Sequence, residues 1–304
     1  MMINVWQIKD KIKFQVKIAK GESLTVKVKY EQEIETQDIE TETETQYDVK
    51  FARMVEYRKA DAALSARTSD TGNSDVAMAY EWGVDTIVQE MLLDNWRNFS
   101  AISEEGNLST FSIASLDNTA HFIFTVARGD EGNITANKMK IDFELTDFPW
   151  TADDTFVAVL CTVESEREVE VEVMDDSGDD TDSFATTSRK TKDVKISFAD
   201  AVDTIGFTPF GVFDWADTAE VRIIGNSTNL TATESRESAT IQVMATSPAS
   251  ESSDAIAFSF VGNAAHRAVD IYWDPSAGID YSGAAAFSFM GVVSLGFIAL
   301  VSMM

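Results

Sequence analysis

Lys11-Ile-Lys-Phe-Gln-Val-Lys-Ile18, then Ala19-Lys20-Gly21-Glu22, then Ser23-Leu-Thr-Val-Lys-Val-Lys-Tyr30: apolar and polar residues alternate on either side of a glycine-centred break. Successive side chains of an extended strand point to opposite faces, so a period of two marks a strand with one face buried. Val26 and Val28 are assigned to the core face, and Lys27 and Lys29 to water. Two such runs around Lys20-Gly21-Glu22 predict a β-hairpin.

The same period recurs downstream. Residues 47–57 form a strand pattern with Val49, Phe51 and Val55 apolar, and further strands are predicted at 110–116, 121–128 and 139–148. Residues 156–174 make the longest run, ending Glu-Val-Glu-Val-Glu-Val with Glu168, Glu170 and Glu172 on one face. Shorter strands are predicted at 193–198, 219–224, 239–245, 255–261 and 269–273. Residues 31–45 alternate Glu with Thr or Gln and carry almost nothing apolar, which predicts an exposed edge strand or a long loop. Residues 59–82 read as a long loop and 84–91 as a strand or a short helix. No window upstream of residue 284 keeps a capped period near 3.6. The predicted fold is all-β, an antiparallel β-sandwich, either one large body or two consecutive ones, followed by a C-terminal hydrophobic helix. The predicted divisions are 1–148, 149–275 and a spacer plus apolar tail at 276–304.

The chain has 304 residues, 44% of them hydrophobic, and a formal net charge of -27 from 51 acids against 24 bases. That is enough apolar material for real cores. The acidic excess argues against nucleic acid, whose phosphates need clustered Lys and Arg, and against unaided adsorption to anionic lipid. It favours cations or a basic partner. Most of the lysines precede residue 60, so the first strands form the one basic region. The single cysteine, Cys161, lies in an apolar strand pattern and reads as a buried structural thiol.

From Ala284 to Met304 no charge occurs, and about twenty apolar residues in helix would cross a bilayer core. Three uses of this tail stay open. One is a spanning helix, and another is a tail anchor facing the cytosol. The third is a glycosylphosphatidylinositol (GPI) attachment signal, with Ser276-Ala277-Gly278 as the small-residue triplet, residues 279–286 as spacer and 287–304 as tail. In that reading Ser276 carries the lipid. The acceptor sequons Asn98-Phe-Ser, Asn107-Leu-Ser, Asn133-Ile-Thr, Asn226-Ser-Thr and Asn229-Leu-Thr exceed the roughly two that Asn and Ser/Thr content gives by chance, and they point to the secretory pathway. Residues 1–13 hold several charges and no apolar core, so the natural start is expected upstream.

The acidic stretch Asp175-Asp-Ser-Gly-Asp-Asp-Thr-Asp182 is the candidate cation loop. Asp175, Asp179, Asp180 and Asp182 supply the oxygens that Ca2+ requires, and Gly178 supplies the sharp turn. The bland reading of the same stretch is a solvated hairpin tip. His121 and His266 are the only imidazoles, and no nucleophile elbow, phosphate-cradling loop or zinc-protease helix occurs. Trp150, Trp215 and Trp273 are candidate stacking surfaces for a saccharide. Pro149-Trp150 and Pro209 to Trp215 both read as corners where Pro ends strand pairing and Trp caps the core.

Val55-Glu-Tyr57, Asp85-Thr-Ile-Val-Gln-Glu90 and Leu93-Asp-Asn-Trp96, with the Phe148-Pro-Trp and Phe213-Asp-Trp-Ala corners, resemble a group of uncharacterised extracellular, membrane-anchored, β-rich eukaryotic proteins. The stretch between Tyr57 and Asp85 departs from that group by lacking most of its acids. The resemblance implies a β-rich surface protein and no particular activity. The sequence thus predicts a non-enzymatic, membrane-anchored protein of the cell surface, acting in adhesion or as a coat. A carbohydrate- or calcium-binding module is the second reading and a carboxylate-based hydrolase the third.

Overall fold

The computed structural model describes residues 2–6, 12–36, 39–60, 78–129, 131, 134–152, 154–165, 169–174, 191–198, 208–216, 218–225, 233–246, 253–261 and 268–282. Strands β1 (Met2–Trp6), β2 (Ile12–Lys17), β3 (Leu24–Thr36) and β4 (Ile39–Arg58) come first. They are followed by β5 (Thr86–Leu92), β6 (Ser103–Glu105), β7 (Leu108–Ala114), β8 (Ala120–Ala127) and β9 (Lys138–Thr146). Next come β10 (Phe156–Glu164), β11 (Val169–Met174), β12 (Thr191–Phe198), β13 (Thr208–Ala216) and β14 (Thr218–Gly225). The last are β15 (Thr233–Thr246), β16 (Ser253–Val261), β17 (Ala268–Trp273) and β18 (Ser276–Ser282). The described residues contain no α-helix. The predicted tail helix lies outside them.

Among the described residues every strand pairing is antiparallel. One ladder runs β1–β2–β3–β4–β10–β16–β15. It continues β14–β17–β9–β8–β7–β6. Strand β5 lies beside the C-terminal part of β4. Strand β18 lies beside the N-terminal part of β9 and leads on to β13, β12 and β11. Pairings therefore cross both predicted divisions: β4 with β10 and β9 with β17 span residue 148, and β18 with β9 and β13 spans 275.

The alternation read from the sequence is the alternation of burial. In β2 Ile12, Phe14 and Val16 are buried while Lys13, Gln15 and Lys17 are less so, and β9 alternates the same way along its length. The ladder folds so that its inner faces meet. The Phe51 ring on β4 lies 4.9 Å from Phe122 on β8 and 6.4 Å from Phe213 on β13. Trp273 sits 4.7 Å from Phe258, which sits 5.0 Å from Trp215. Edge-on and tilted rings at these spacings are the favoured aromatic arrangements. Strand β10 is buried on both faces. Val157, Val159 and Cys161 join the main core, while Phe156, Ala158 and Leu160 pack under Met78 and Tyr80. That double burial explains an apolar run without alternation.

Several sequence expectations change. Of the two expectations for residues 31–45, the exposed edge strand is the one that agrees with the pairing: residues 31–36 and 39–45 are strand, each with a neighbour on one side only. β3 and β4 pair with each other down to Thr36↔Ile39, past the last β2 pair at Tyr30, as a two-stranded ribbon. The run 156–174 is two strands with different partners, β10 between β4 and β16, and β11 beside β12. Residues 84–91 give a strand, β5. Pro209 ends nothing: it is the second residue of β13, near the strand's start, where a missing N–H is tolerated.

Tyr47 of β4 crosses the interior. Its hydroxyl lies 2.7 Å from the Gly278 carbonyl of β18 and 3.0 Å from the Val212 carbonyl of β13. The chain makes room for it with glycine. A Cβ at Gly211 would meet the Tyr47 ring at 2.6 Å, and one at Gly278 would meet the Asn137 carbonyl at 2.3 Å. We expect Gly278→Ala to cost about 3 kcal/mol, because backbone rather than a flexible side chain must give way. Tyr47→Phe should cost about 1 kcal/mol for the lost hydrogen bond. Urea unfolding midpoints check both, and a wild-type midpoint for Gly278→Ala would refute the close packing of β18 on β9.

Candidate functional site

Strand register assembles a row of polar side chains on the outward face of the β8–β9–β17–β14 sheet. His121 opposes Glu144, Glu144 opposes Tyr272, and Tyr272 opposes Glu220. One step along the strands on the same face, Ile123 opposes Asp142, and Asp274 follows Tyr272 by two residues. Ile123, Asp142, Glu144, Glu220, Tyr272 and Asp274 line a cleft of about 390 Å³. Phe143 and Trp273, members of the core, also line it.

The cleft is strongly acidic. Lys140 Nζ lies 2.5 Å from Asp142 Oδ1, and His121 Nδ1 lies 3.1 Å from Glu144 Oε2. Asp270, buried at the edge of the row, is held by Arg222 and accepts the Asp147 amide at 3.3 Å. Burial, followed by the negative charges of Asp270 and Glu144, pushes the Tyr272 phenol above its ordinary range. The phenol therefore stays a neutral donor with an aromatic face, ringed by acceptors. Such an arrangement suits a cationic group or a hydroxyl-rich ligand.

A second polar cluster holds the fold together. Glu56, fully buried, accepts from the amides of Thr151 at 3.0 Å and Ala152 at 3.1 Å. It also accepts from the hydroxyls of Thr151 at 2.6 Å and Thr155 at 2.5 Å. Nearby, Lys59 Nζ donates to Asp85 at 2.7 Å and to the Ala79 carbonyl at 2.8 Å. Asp85 also accepts the amides of Ala60 and Glu81. Tyr57 donates to the Met78 carbonyl at 2.7 Å. The motif residues Glu56, Tyr57 and Asp85 thus fasten the connections around β4.

The other candidates fall as follows. Trp215 and Trp273 are each 1% exposed, so they are core residues and offer no stacking surface, which corrects that expectation. Trp150 is half-buried at the Phe148 corner, 5.0 Å from the Phe148 ring. Cys161 is buried, and burial pushes its thiol well up, away from thiolate chemistry. Asn98 and Asn107 are exposed, the latter in the turn between β6 and β7. Asn133, Asn226, Asn229, His266 and the whole loop with Asp175, Asp179, Asp180 and Asp182 lie outside the described residues. Among the described residues no group of three or more His, Cys, Asp or Glu side chains is placed to hold one metal ion. Ser276 opens β18, opposite Asp214 on one side and Lys140 on the other. The basic region is neutralised by its neighbours: Lys13 meets Glu31, Lys29 meets Glu31 and Glu44, Lys27 meets Asp48, and Lys50 meets Glu164.

No protein-family model and no curated protein matches the chain. The site's chemistry therefore rests on its geometry. We expect spectrophotometric titration to show a phenol ionising above the ordinary range that is lost in Tyr272→Phe. Glu144→Gln removes a nearby negative charge and should shift that step to lower pH. A Tyr272 step unmoved by Glu144→Gln would contradict the field described here.

Proposed function

We propose that this is a non-enzymatic, membrane-anchored protein of the cell surface. Its β body works in adhesion, through the acidic cleft, on a cationic partner surface. The observation that carries the reading is the row Glu144–Tyr272–Glu220 with Asp142 and Asp274 beside it. Residues from strands far apart in sequence converge there on one open sheet face. The apolar tail supports a membrane location, and the exposed sequons at Asn98 and Asn107 support an extracellular one. A tail-anchored, cytosol-facing protein is the alternative placement.

The test is calorimetric binding of a Lys/Arg-rich peptide to the wild type and to two charge-matched triple variants. We expect Glu144→Gln/Glu220→Gln/Asp274→Asn to weaken binding about tenfold, which is roughly 1.4 kcal/mol. The control, Glu22→Gln/Glu81→Gln/Glu105→Gln on other exposed acids, should leave affinity near the wild-type value. Equal losses in the two would show binding by net charge alone and defeat the cleft as the working surface.

A second reading, a carbohydrate- or calcium-binding module, is favoured by the cleft's size and its phenol among carboxylates, since saccharide sites combine an aromatic face with hydrogen-bonding acids. Tyr272 takes the stacking role there. The calcium part of that reading belongs to Asp175, Asp179, Asp180 and Asp182, where a bound ion would raise the melting temperature with increasing calcium. Blank glycan arrays together with melting unchanged by calcium would remove this reading.

A further inference from the structure

The manner of anchoring follows from where β18 ends, given the membrane-held reading above. A GPI signal is cut after its attachment residue. The peptide bond after that residue breaks, and its carbonyl forms a new amide with the ethanolamine amine of the glycolipid. The C-terminal peptide leaves with a free amine. With attachment at Ser276, the departing peptide would begin at Ala277 and take β18 with it. All the β13 pairs from Phe213↔Ala277 to Thr208↔Ser282 would be lost, as would Ala277↔Met139 and Gly278↔Lys138 on β9. Ala277 and Ile279 are fully buried in the core, Gly278 receives the Tyr47 hydroxyl, and Asn137 donates to the Ile279 carbonyl at 2.7 Å. Two strands would be left with unpaired backbone in the interior, which native proteins avoid.

Moving the cut past the strand does not rescue the signal. The first small triplet that spares β18 is Ser282-Gly283-Ala284, and Ser282 is the last paired residue. Only Ala285 and Ala286 then separate it from the apolar run that begins at Phe287. The signal calls for a polar spacer of roughly 8–12 residues. No position meets both the fold and the spacing. The run from Ala284 to Met304 in helix would measure about 31 Å at 1.5 Å per residue, enough for a bilayer's hydrocarbon core.

We infer that the tail is not exchanged for a lipid: residues 284–304 stay on the chain as the membrane anchor, joined to β18 without a spacer. This fixes how the cleft is presented. Strands β17 and β18 run in line along β9, with Tyr272 opposite Glu144 and Gly278 opposite Lys138. At about 3.4 Å per residue, the cleft lies about 34 Å along the sheet from Ser282, at the end away from the bilayer. An acidic surface is thereby held clear of anionic headgroups.

The experiment is full-chain expression in a eukaryotic cell, isolation of membranes, and treatment with phosphatidylinositol-specific phospholipase C. The intact mass of the deglycosylated protein is measured alongside. We expect no release by the phospholipase, resistance to alkaline carbonate extraction, and a mass that includes residues through Met304. A glycolipid on Ser276, Ser282 or any other residue, with the tail peptide gone, overturns this inference and leaves the membrane-held surface reading intact. A full-mass protein found in the soluble fraction overturns both.

Discussion

A single buried phenol ties the two ends of this chain together. Tyr47 sits on β4, and its hydroxyl reaches backbone carbonyls on β13 and β18, 165 and 231 residues further on. A buried hydroxyl without a partner would cost about 1–3 kcal/mol, so its position selects the layer that it must face. Gly211 and Gly278 are the complement: any larger residue would push the β13 or β18 backbone away from the ring or from Asn137. Burial, reinforced by the negative charge of Asp214, pushes the phenol's ionisation far above its ordinary range, so the hydroxyl stays a donor to the carbonyls it faces. Contacts of such long sequence separation also imply slow folding, because loop closure precedes the reward.

The second constraint is the junction at the other end of β4. Glu56 and Asp85 are buried carboxylates, one satisfied by amides and hydroxyls and the other by Lys59 and amides. Removing one partner of a buried ion pair costs far more than the pair itself contributes. Such groups therefore specify where the 149–155 and 78–85 segments dock more than they add stability. This gives the Val55-Glu-Tyr57 and Asp85 motifs a folding role. The acidic cleft lies elsewhere, on the β9–β17–β14 face.

Much of the fold was legible because strands with one buried face print their period on the sequence. The 11–30 hairpin and β9 could be read residue by residue. The ribbon of β3 and β4 beyond Tyr30 could not, because two polar strands paired only with each other have no apolar period. β18 was misread for a physical reason as well. Gly278 is a glycine because the β9 backbone approaches closely there, and small residues are also what a lipid-attachment signal needs. Trp215 reads as a cap on the core and Trp273 as the end of a strand, and both stay open as stacking surfaces because sequence does not show which way a ring points. The cleft was invisible, since His121, Glu144, Tyr272 and Glu220 meet only through register across four strands. The Glu56 junction did leave a signal, a lone acid between apolar residues in a strand too buried to tolerate it unpaired.

The account stands or falls on β18 being part of the body and not a tether. Native-state hydrogen exchange reads this directly at the Ile279 amide, which donates to the Asn137 carbonyl at 3.1 Å, and at the Ile141 amide, which donates to the Pro275 carbonyl at 2.7 Å. The account predicts that both exchange only through global unfolding, with the same protection as the amides of the doubly buried strand β10. Exchange at the rate of exposed residues such as Ala101 and Ile102 would contradict it.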